Sequence, residues 1–316
     1  MRPLPWLRYP NPTIAFLLVA VALAQIPTAR PAAAQAHESL PVVTQIPAST
    51  RAMALGDAYM MNAGHADAIF YHPALLTGAG GFGLDVQRWR VQGTAAAASA
   101  ATEWLGGGIG VGLLSLQYEA PSTGAGAAPG GQAFLFRQGP EQVSERVAVL
   151  GYAREIFGVD VGVAGKLVEE RVGPDQEAVV LFDVGAAREV GPVQVGLTVK
   201  DIGDDPLVRG ADATPRVLLG AGAYGQDVGI LDMGATIAAE WSEDRTTVSG
   251  GVEIGYWPIT GRTFVARIGL ETNDDDMSPL TFGLAFWGDD VTVEGAFQPY
   301  GGDESAGTYR VGVWWR

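Results

Sequence analysis

From about Gly81 to the C-terminal Arg316, apolar residues return at every second position in one segment after another. Val159-Asp160-Val161-Gly162-Val163-Ala164-Gly165-Lys166-Leu167 is typical: Val159, Val161, Val163 and Leu167 share one face, and Asp160, Gly162, Ala164 and Lys166 share the other. Side chains of a strand alternate sides, so each such segment is a ribbon with one greasy face and one polar or small face. A soluble sandwich turns the greasy face inward, whereas a membrane barrel turns it to lipid.

The N-terminus bears on that choice. Arg2 and Arg8 precede an apolar run from Ile14 to Ala24, and Ala34-Gln35-Ala36 supplies small residues at the positions a signal peptidase reads. Residues 1–36 are therefore expected to be a signal peptide cut near Ala36/His37, since the apolar run is short of the ~20 residues a spanning helix needs. No later stretch is continuously apolar over that length, so a membrane span after cleavage has to be made of strands.

Polar-face composition favours the barrel. In Thr246–Trp257, Val248, Val252, Ile254 and Tyr256 oppose Thr247, Ser249, Gly251, Glu253 and Gly255. The polar faces are small residues with isolated charges, and the whole chain holds two lysines, Lys166 and Lys200. A crowded, charge-sprinkled lumen explains this better than an open solvated face. Trp104, Tyr256-Trp257, Phe286-Trp287 and Trp314-Trp315 collect near strand ends, where interfacial girdles lie.

Turn chemistry divides residues 81–316 into about fourteen antiparallel strands, long enough to cross a bilayer when tilted. Connections are of two kinds. They are tight at Glu155–Gly158 and Ala187–Pro192, and long and polar at Pro121–Gln142, Asp204–Thr214 and Asn273–Pro279. Short turns on one side and long loops on the other is the arrangement of an outer-membrane barrel. Residues 37–80 lack the alternation. Thr50 is placed to cap a helix through Met53, Leu55, Ala58 and Tyr59, and a second segment at Ala68–Tyr71 is expected to stop at Pro73. The chain thus divides into signal peptide 1–36, a partly helical plug 37–80 and a transmembrane β-barrel 81–316.

Several function classes fall away. The formal net charge is −15, and the signal region contributes Arg2, Arg8 and Arg30 but no acid, so the exported part is more acidic still. Such a chain suits neither nucleic acid nor a polybasic lipid-surface role. It has no cysteine, hence no disulfide framework or thiolate metal site. Three histidines occur, His37, His65 and His72, without metal-ligand spacing. Gly78-Ala79-Gly80-Gly81-Phe82-Gly83 precedes a strand instead of opening a helix, so it is no dinucleotide loop. Asp274-Asp275-Asp276 lacks the spaced ligands of a calcium loop. No Gly-x-Ser-x-Gly turn is present. Neither enzyme activity nor a cofactor or metal is expected.

Arg51-Ala52-Met53-Ala54-Leu55-Gly56-Asp57-Ala58-Tyr59, followed by Ala66-Asp67-Ala68-Ile69-Phe70-Tyr71-His72-Pro73-Ala74-Leu75-Leu76, resembles the N-terminal signature of FadL/PorV-type outer-membrane barrels. Arg51, Ala52, Gly56, Ala58, Asp67, Pro73 and Ala74 fit the family pattern, with Phe70-Tyr71 as its aromatic pair. Ala54 stands where glycine is common, Ala68 follows Asp67 directly, and His72 takes the place of an asparagine. The resemblance implies a fourteen-stranded barrel plugged by an N-terminal hatch. It also implies transport of hydrophobic or amphipathic small molecules across the outer membrane or, in PorV-like members, an accessory role anchoring proteins exported by type IX secretion. Residues 37–316 are shorter than a typical FadL, which points to the PorV/PorQ-like branch.

The plug motif is therefore taken as Arg51, Gly56, Asp57, Asp67, His72, Pro73 and Ala74. Arg51 and Asp67 are candidates for ion pairs with wall charges such as Glu253, Glu271 or Arg267, because an inward charge is costly unless paired. Asp160, Lys166, Asp183, Lys200, Asp232, Glu240, Glu294 and Arg310 should also face the lumen if the greasy faces meet lipid. Expected partners are outer-membrane lipid and either a hydrophobic small molecule or an exported protein, with the barrel a monomer. A barrel without cargo is the remaining alternative.

Overall fold

The computed structural model describes residues 41–60, 64–89, 93–120, 141–203, 215–243, 245–259, 262–272, 278–300 and 303–316. The expected signal peptide and its cleavage site lie outside them. Fourteen strands form a closed antiparallel barrel in which each pairs with its neighbours in sequence and β1 closes on β14. They are β1 Gly81–Trp89, β2 Gly93–Trp104, β3 Gly107–Ala120, β4 Glu141–Ile156, β5 Val159–Val172, β6 Asp175–Val190, β7 Val193–Ile202, β8 Arg216–Val228, β9 Leu231–Trp241, β10 Thr246–Ile259, β11 Arg262–Glu271, β12 Leu280–Trp287, β13 Val291–Tyr300 and β14 Asp303–Trp315. Closure removes the free edges that an open sheet of this size would expose, and it satisfies every ladder within the wall.

The alternation becomes two surfaces. Val163, Leu167, Leu197, Ile254, Phe264, Leu284 and Val311 are exposed on the outer face, while their sequence neighbours Ala164, Lys166, Thr198, Glu253, Val265, Ala285 and Arg310 are buried inside. An outer belt of valine, leucine and phenylalanine cannot be a water-facing surface of this extent, and hydrocarbon is its natural solvent. No helix among the described residues is long and apolar enough to cross a membrane.

Strand order puts Leu105-Gly106, Phe157-Gly158, Gly191-Pro192, Gly229-Ile230 and Gly288–Asp290 at one end of the barrel, together with the start of β1 and the end of β14. The ends of β3, β7 and β11 and the starts of β4, β8 and β12 lie at the other end, which also carries the tight Gly173-Pro174 turn; the long connections expected between those strands fall largely outside the described residues. Trp104, Tyr256, Phe286 and Trp315 form an outward aromatic girdle at the short-turn end, and Trp257 is exposed beside it at a register shift. Trp287 and Trp314 do not join it. Trp314 is buried and stacks on His65 at 4.1 Å between ring centroids, and Trp287 faces Arg51. Both belong to the period-two positions that point inward.

Residues 41–60 and 64–80 fill the lumen. They comprise a 3-10 turn at Val42–Thr44, one short helix α1 at Thr50–Ala54, and 3-10 turns at Ala66–Phe70 and Pro73–Leu76. The helix cap is Ser49, one residue earlier than the cap expected at Thr50. Its hydroxyl accepts from Ala52 N at 3.1 Å, while Thr50 turns to Asp85 on β1. Gly56 ends the helix at φ +68°, a conformation that favours glycine. Pro73 lies just beyond the end of the second segment, Ala66–Phe70. It opens the next turn, where its fixed φ fits and its missing N–H costs nothing.

Candidate functional site

A plug can seat against a wall only if the wall leaves room. Opposite the plug, inward positions on most strands are glycine: Gly110, Gly151, Gly162, Gly185, Gly196, Gly220, Gly251, Gly269, Gly283 and Gly312. Register brings them together in pairs across adjacent strands, Gly110 with Gly151, Gly162 with Gly185, Gly196 with Gly220 and Gly251 with Gly269. A methyl group at Gly162 would overlap the Pro73–Ala74 backbone, and one at Gly269 would overlap Gly56 N. At Gly185 and Gly196 it would stand 2.7 and 2.9 Å from the His72 ring. This girdle lets plug backbone lie directly on wall backbone.

Charges then bolt the plug down. Arg51, fully buried at the first turn of α1, pairs with Glu253 on β10 at 2.9 Å and lies over the Tyr224 ring at 4.2 Å. Glu253 also takes Arg267 (2.6 Å), which continues to Glu294 at 2.6 Å, so a chain of alternating charge crosses β10, β11 and β13. Arg310 on β14 donates to Gln87 at 2.6 Å and to the carbonyls of Pro47 and Ala48, satisfying plug backbone that would otherwise be orphaned. Asp85 accepts from Thr50 N at 2.7 Å, and Glu145 on β4 accepts from Val43 N at 2.6 Å. Thr281 and Thr236 hold Gly56 N and Ala58 O.

A second network lies nearer the long-loop end of β5–β9. Lys166 pairs with Asp183 at 2.6 Å and Asp201 at 2.8 Å; Arg216 pairs with Asp201 at 2.6 Å and Glu240 at 2.9 Å and donates to Thr44 O. Asp201 reaches this cluster through a β-bulge. The β6–β7 register shifts at Phe182/Val184, Asp201 sits at φ +58°, and Lys200 and Asp201 are both buried although adjacent in sequence.

Eleven wall residues singled out above occupy inward-facing positions. Glu253, Arg267, Glu294, Arg310, Lys166, Asp183 and Lys200 are buried, and Glu240 is half-buried in its network. Asp160, Asp232 and Glu271 lie half-buried near strand ends. In the plug, Asp67 does not reach a wall charge. It accepts from Tyr59 OH at 2.8 Å, within the plug, where Tyr59 stacks on Tyr71. Asp57 follows Gly56 at φ +60°, another left-handed position that Asp tolerates. His72 is wholly buried, and burial lowers its pKa from 6.5 to about 4. Asp85, Glu145, Asp201 and Arg216 were not picked out by alternation. The bulge shifts Asp201 off the period, and Glu145 lies on a face that reads as apolar.

That face is a finding in itself. On β3–β6, in the half toward the long loops, Leu114, Leu116, Val147, Val149, Val168, Val179 and Leu181 point inward and are buried in one apolar cluster with Val43, with Val42 and Ile46 packed alongside. An interior of small residues and ions throughout is therefore incorrect for this sector. The reason is packing: a plug inside a barrel needs an apolar contact as any core does. Across the lumen, β8–β14 present Thr236, Ser249, Thr281, Thr292, Gln298 and Thr308 instead. At the short-turn end, a cavity of about 260 Å³ lies between plug and wall, bounded by Arg51, His65, Tyr224, Trp287 and Trp314. Among the described residues no group of three or more His, Asp or Glu is arranged to hold a metal.

No protein-family model matches the sequence, and no curated protein matches it. Solved structures do. The toluene transporter TodX of Pseudomonas putida superposes with a TM-score of 0.56 at 12% identity, over 83% of this chain and 96% of that one. The toluene transporter TbuX of Ralstonia pickettii gives 0.56 and 12%, over 84% and 96%. The monoaromatic hydrocarbon channel CymD gives 0.52 and 9%, over 80% and 92%. The likeness spans nearly the full length of each neighbour and is one of architecture: the chain shares the barrel fold of these structures, here closed by fourteen strands.

Proposed function

We propose that the chain is an outer-membrane channel for hydrophobic or amphipathic small molecules, exported by cleavage near Ala36/His37 and working as a monomer. The observation that carries this is the apolar inward sector of β3–β6, set beneath the long-loop end and covered by Val42, Val43 and Ile46. Once Val42, Val43 and Ile46 move aside, a hydrophobic solute entering from that end meets valine and leucine, where the rest of the lumen presents hydroxyls and ion pairs. Solved structures of the same fold are described as toluene transporters and as a monoaromatic hydrocarbon channel, which supports the same solute class. A closed ladder needs no partner strand, which supports the monomer.

The experiment is binding of a fluorescent fatty-acid analogue, and of toluene as competitor, to the purified protein in phospholipid nanodiscs. Saturable binding that toluene displaces and Leu116→Asp abolishes is expected. Absence of binding to the folded barrel overturns the channel reading.

A second reading has its own support. The plug is held by buried charges on β1, β4, β8, β10 and β14, which favours a lumen that stays shut, as an accessory of type IX secretion would need. Co-purification of an exported protein, together with no binding of the analogue, would select that PorV-like role.

A further inference from the structure

Four neighbouring hairpins at the short-turn end carry an apolar residue at or beside the tip. Leu105 is 69% exposed, Phe157 101% and Ile230 67%, and Val190 stands exposed at the end of β6. Two of these residues sit where a large apolar side chain is least at home. Leu105 and Phe157 lie at φ +49° and +54°, each followed by a glycine at φ +73° and +76°. That is the backbone of a type I′ hairpin turn, whose first central position favours asparagine, aspartate or glycine. In water, exposure and backbone would both select against leucine and phenylalanine here. The tips also continue the lipid-facing belt without a break, through Trp104, Ile156, Val190 and Val228.

Charge is sorted across the same rim. Arg154 on β4 and Arg188 on β6 are exposed on the outward face, two positions from the strand ends, whereas Glu103, Glu155 and Glu189 occupy the alternate positions that turn toward the lumen. Guanidinium outside and carboxylate inside suits a ring of phosphates around the barrel. The β12–β13 turn differs. In Gly288-Asp289-Asp290 the two aspartates are exposed and there is no apolar tip.

We infer that the short-turn rim from β2 to β9 is seated in the headgroup layer of the adjacent phospholipid leaflet. Leu105, Phe157, Val190 and Ile230 enter the glycerol–acyl boundary, and Arg154 and Arg188 reach phosphate by extending along the wall. The β12–β13 turn stays in water, so the barrel leans toward its β2–β9 side. The inference rests on the membrane placement above.

The absence of cysteine makes the test direct, because each introduced cysteine is unique. Spin labels are attached to Leu105→Cys, Phe157→Cys, Ile230→Cys and Asp290→Cys in the full chain folded in nanodiscs. Leu284→Cys, 71% exposed on the outer wall, serves as control. Collision with oxygen is compared with collision with a water-soluble nickel chelate. The expected oxygen-to-nickel ratio at 105, 157 and 230 is several-fold above that at 290, approaching that at 284. Ratios at 105, 157 and 230 equal to that at 290, with 284 still oxygen-favoured, overturn the seating while leaving the barrel in the membrane. A nickel-favoured 284 overturns the membrane placement itself. Arg154→Gln combined with Arg188→Gln should lower the ratio at 157, and an unchanged ratio overturns the phosphate contact. Ile230→Cys has no left-handed residue to perturb, so it carries the test if the turn variants misfold.

Discussion

Arg51 and Glu253 stand 202 residues apart in sequence and 2.9 Å apart in the lumen, with the guanidinium also covering the ring of Tyr224. This one pair joins the plug helix to a wall strand from the opposite half of the chain. It also puts Glu253 between Arg51 and Arg267, and Glu294 supplies the second carboxylate, so two buried guanidinium groups meet two buried carboxylates.

Removing one partner should therefore cost more than the pair contributes when intact. Arg51→Ala is expected to destabilise the folded barrel by about 3–5 kcal/mol, the usual penalty for breaking a buried ion pair. The measurement is urea-driven unfolding in lipid vesicles. Planar-bilayer conductance should rise in the same variant as α1 loosens, whereas Arg146→Ala, whose pair with Glu169 is exposed, should change neither by more than ~1 kcal/mol or a trace of current.

The glycine girdle makes a sharper claim, because its failure is steric. Gly162→Val and Gly269→Val should each displace plug backbone, at a cost of about 1–3 kcal/mol or more for overpacking. Gly165→Val on the same strand β5 faces outward, where the nearest side-chain atom to a Cβ is 3.8 Å away on Phe182. It should fold normally. Limited proteolysis of plug peptide bonds reads the difference; equal resistance in all three variants would refute plug-to-wall backbone packing.

His72 ties stability to pH. Burial holds its folded-state pKa at about 4, below the ordinary 6.5, so the unfolded chain takes up a proton first as pH falls. The contribution of neutral His72 is complete above pH 6.5 and is lost between 6.5 and 4. It amounts to at most about 3–4 kcal/mol at ~1.4 kcal/mol per pH unit. His72→Asn, with the residue the family pattern carries there, should flatten the unfolding midpoint across that window. A slope identical to that of the native protein would assign the acid sensitivity to other groups.

Both lysines, Lys166 and Lys200, are buried in the lumen. A membrane-impermeant amine reagent applied to folded protein in detergent should leave both unmodified, and the same reagent after heat unfolding should label both. Peptide mass mapping decides. Rapid labelling of Lys166 in the folded state would mean that its pairs with Asp183 and Asp201 open readily.

Strand existence, face and number were legible because they depend on a local rule. Val159 to Leu167 alternates whatever the rest of the chain does, and a strand buried on one face must turn the other away. The end at which each connection leaves the wall was legible for a similar reason, since successive antiparallel strands put every second connection at the same end. What resisted reading were relationships between strands. Gly162 alone is an unremarkable small residue; only register sets it beside Gly185 and only closure brings Pro73 onto it. Asp201 was hidden by a bulge that breaks the period, and Trp314 looked like girdle until its inward face met His65. The apolar sector of β3–β6 had both faces greasy, so alternation could not say which met lipid and which met Val43.

The sequence by itself determined a strand-built barrel wall and the side of each ribbon that meets hydrocarbon over most of that wall. Tertiary structure alone decided where the plug sits, which charges hold it and which sector of the lumen is apolar. Period two is a property of one strand, whereas register, bulges and closure are properties of many strands folded together.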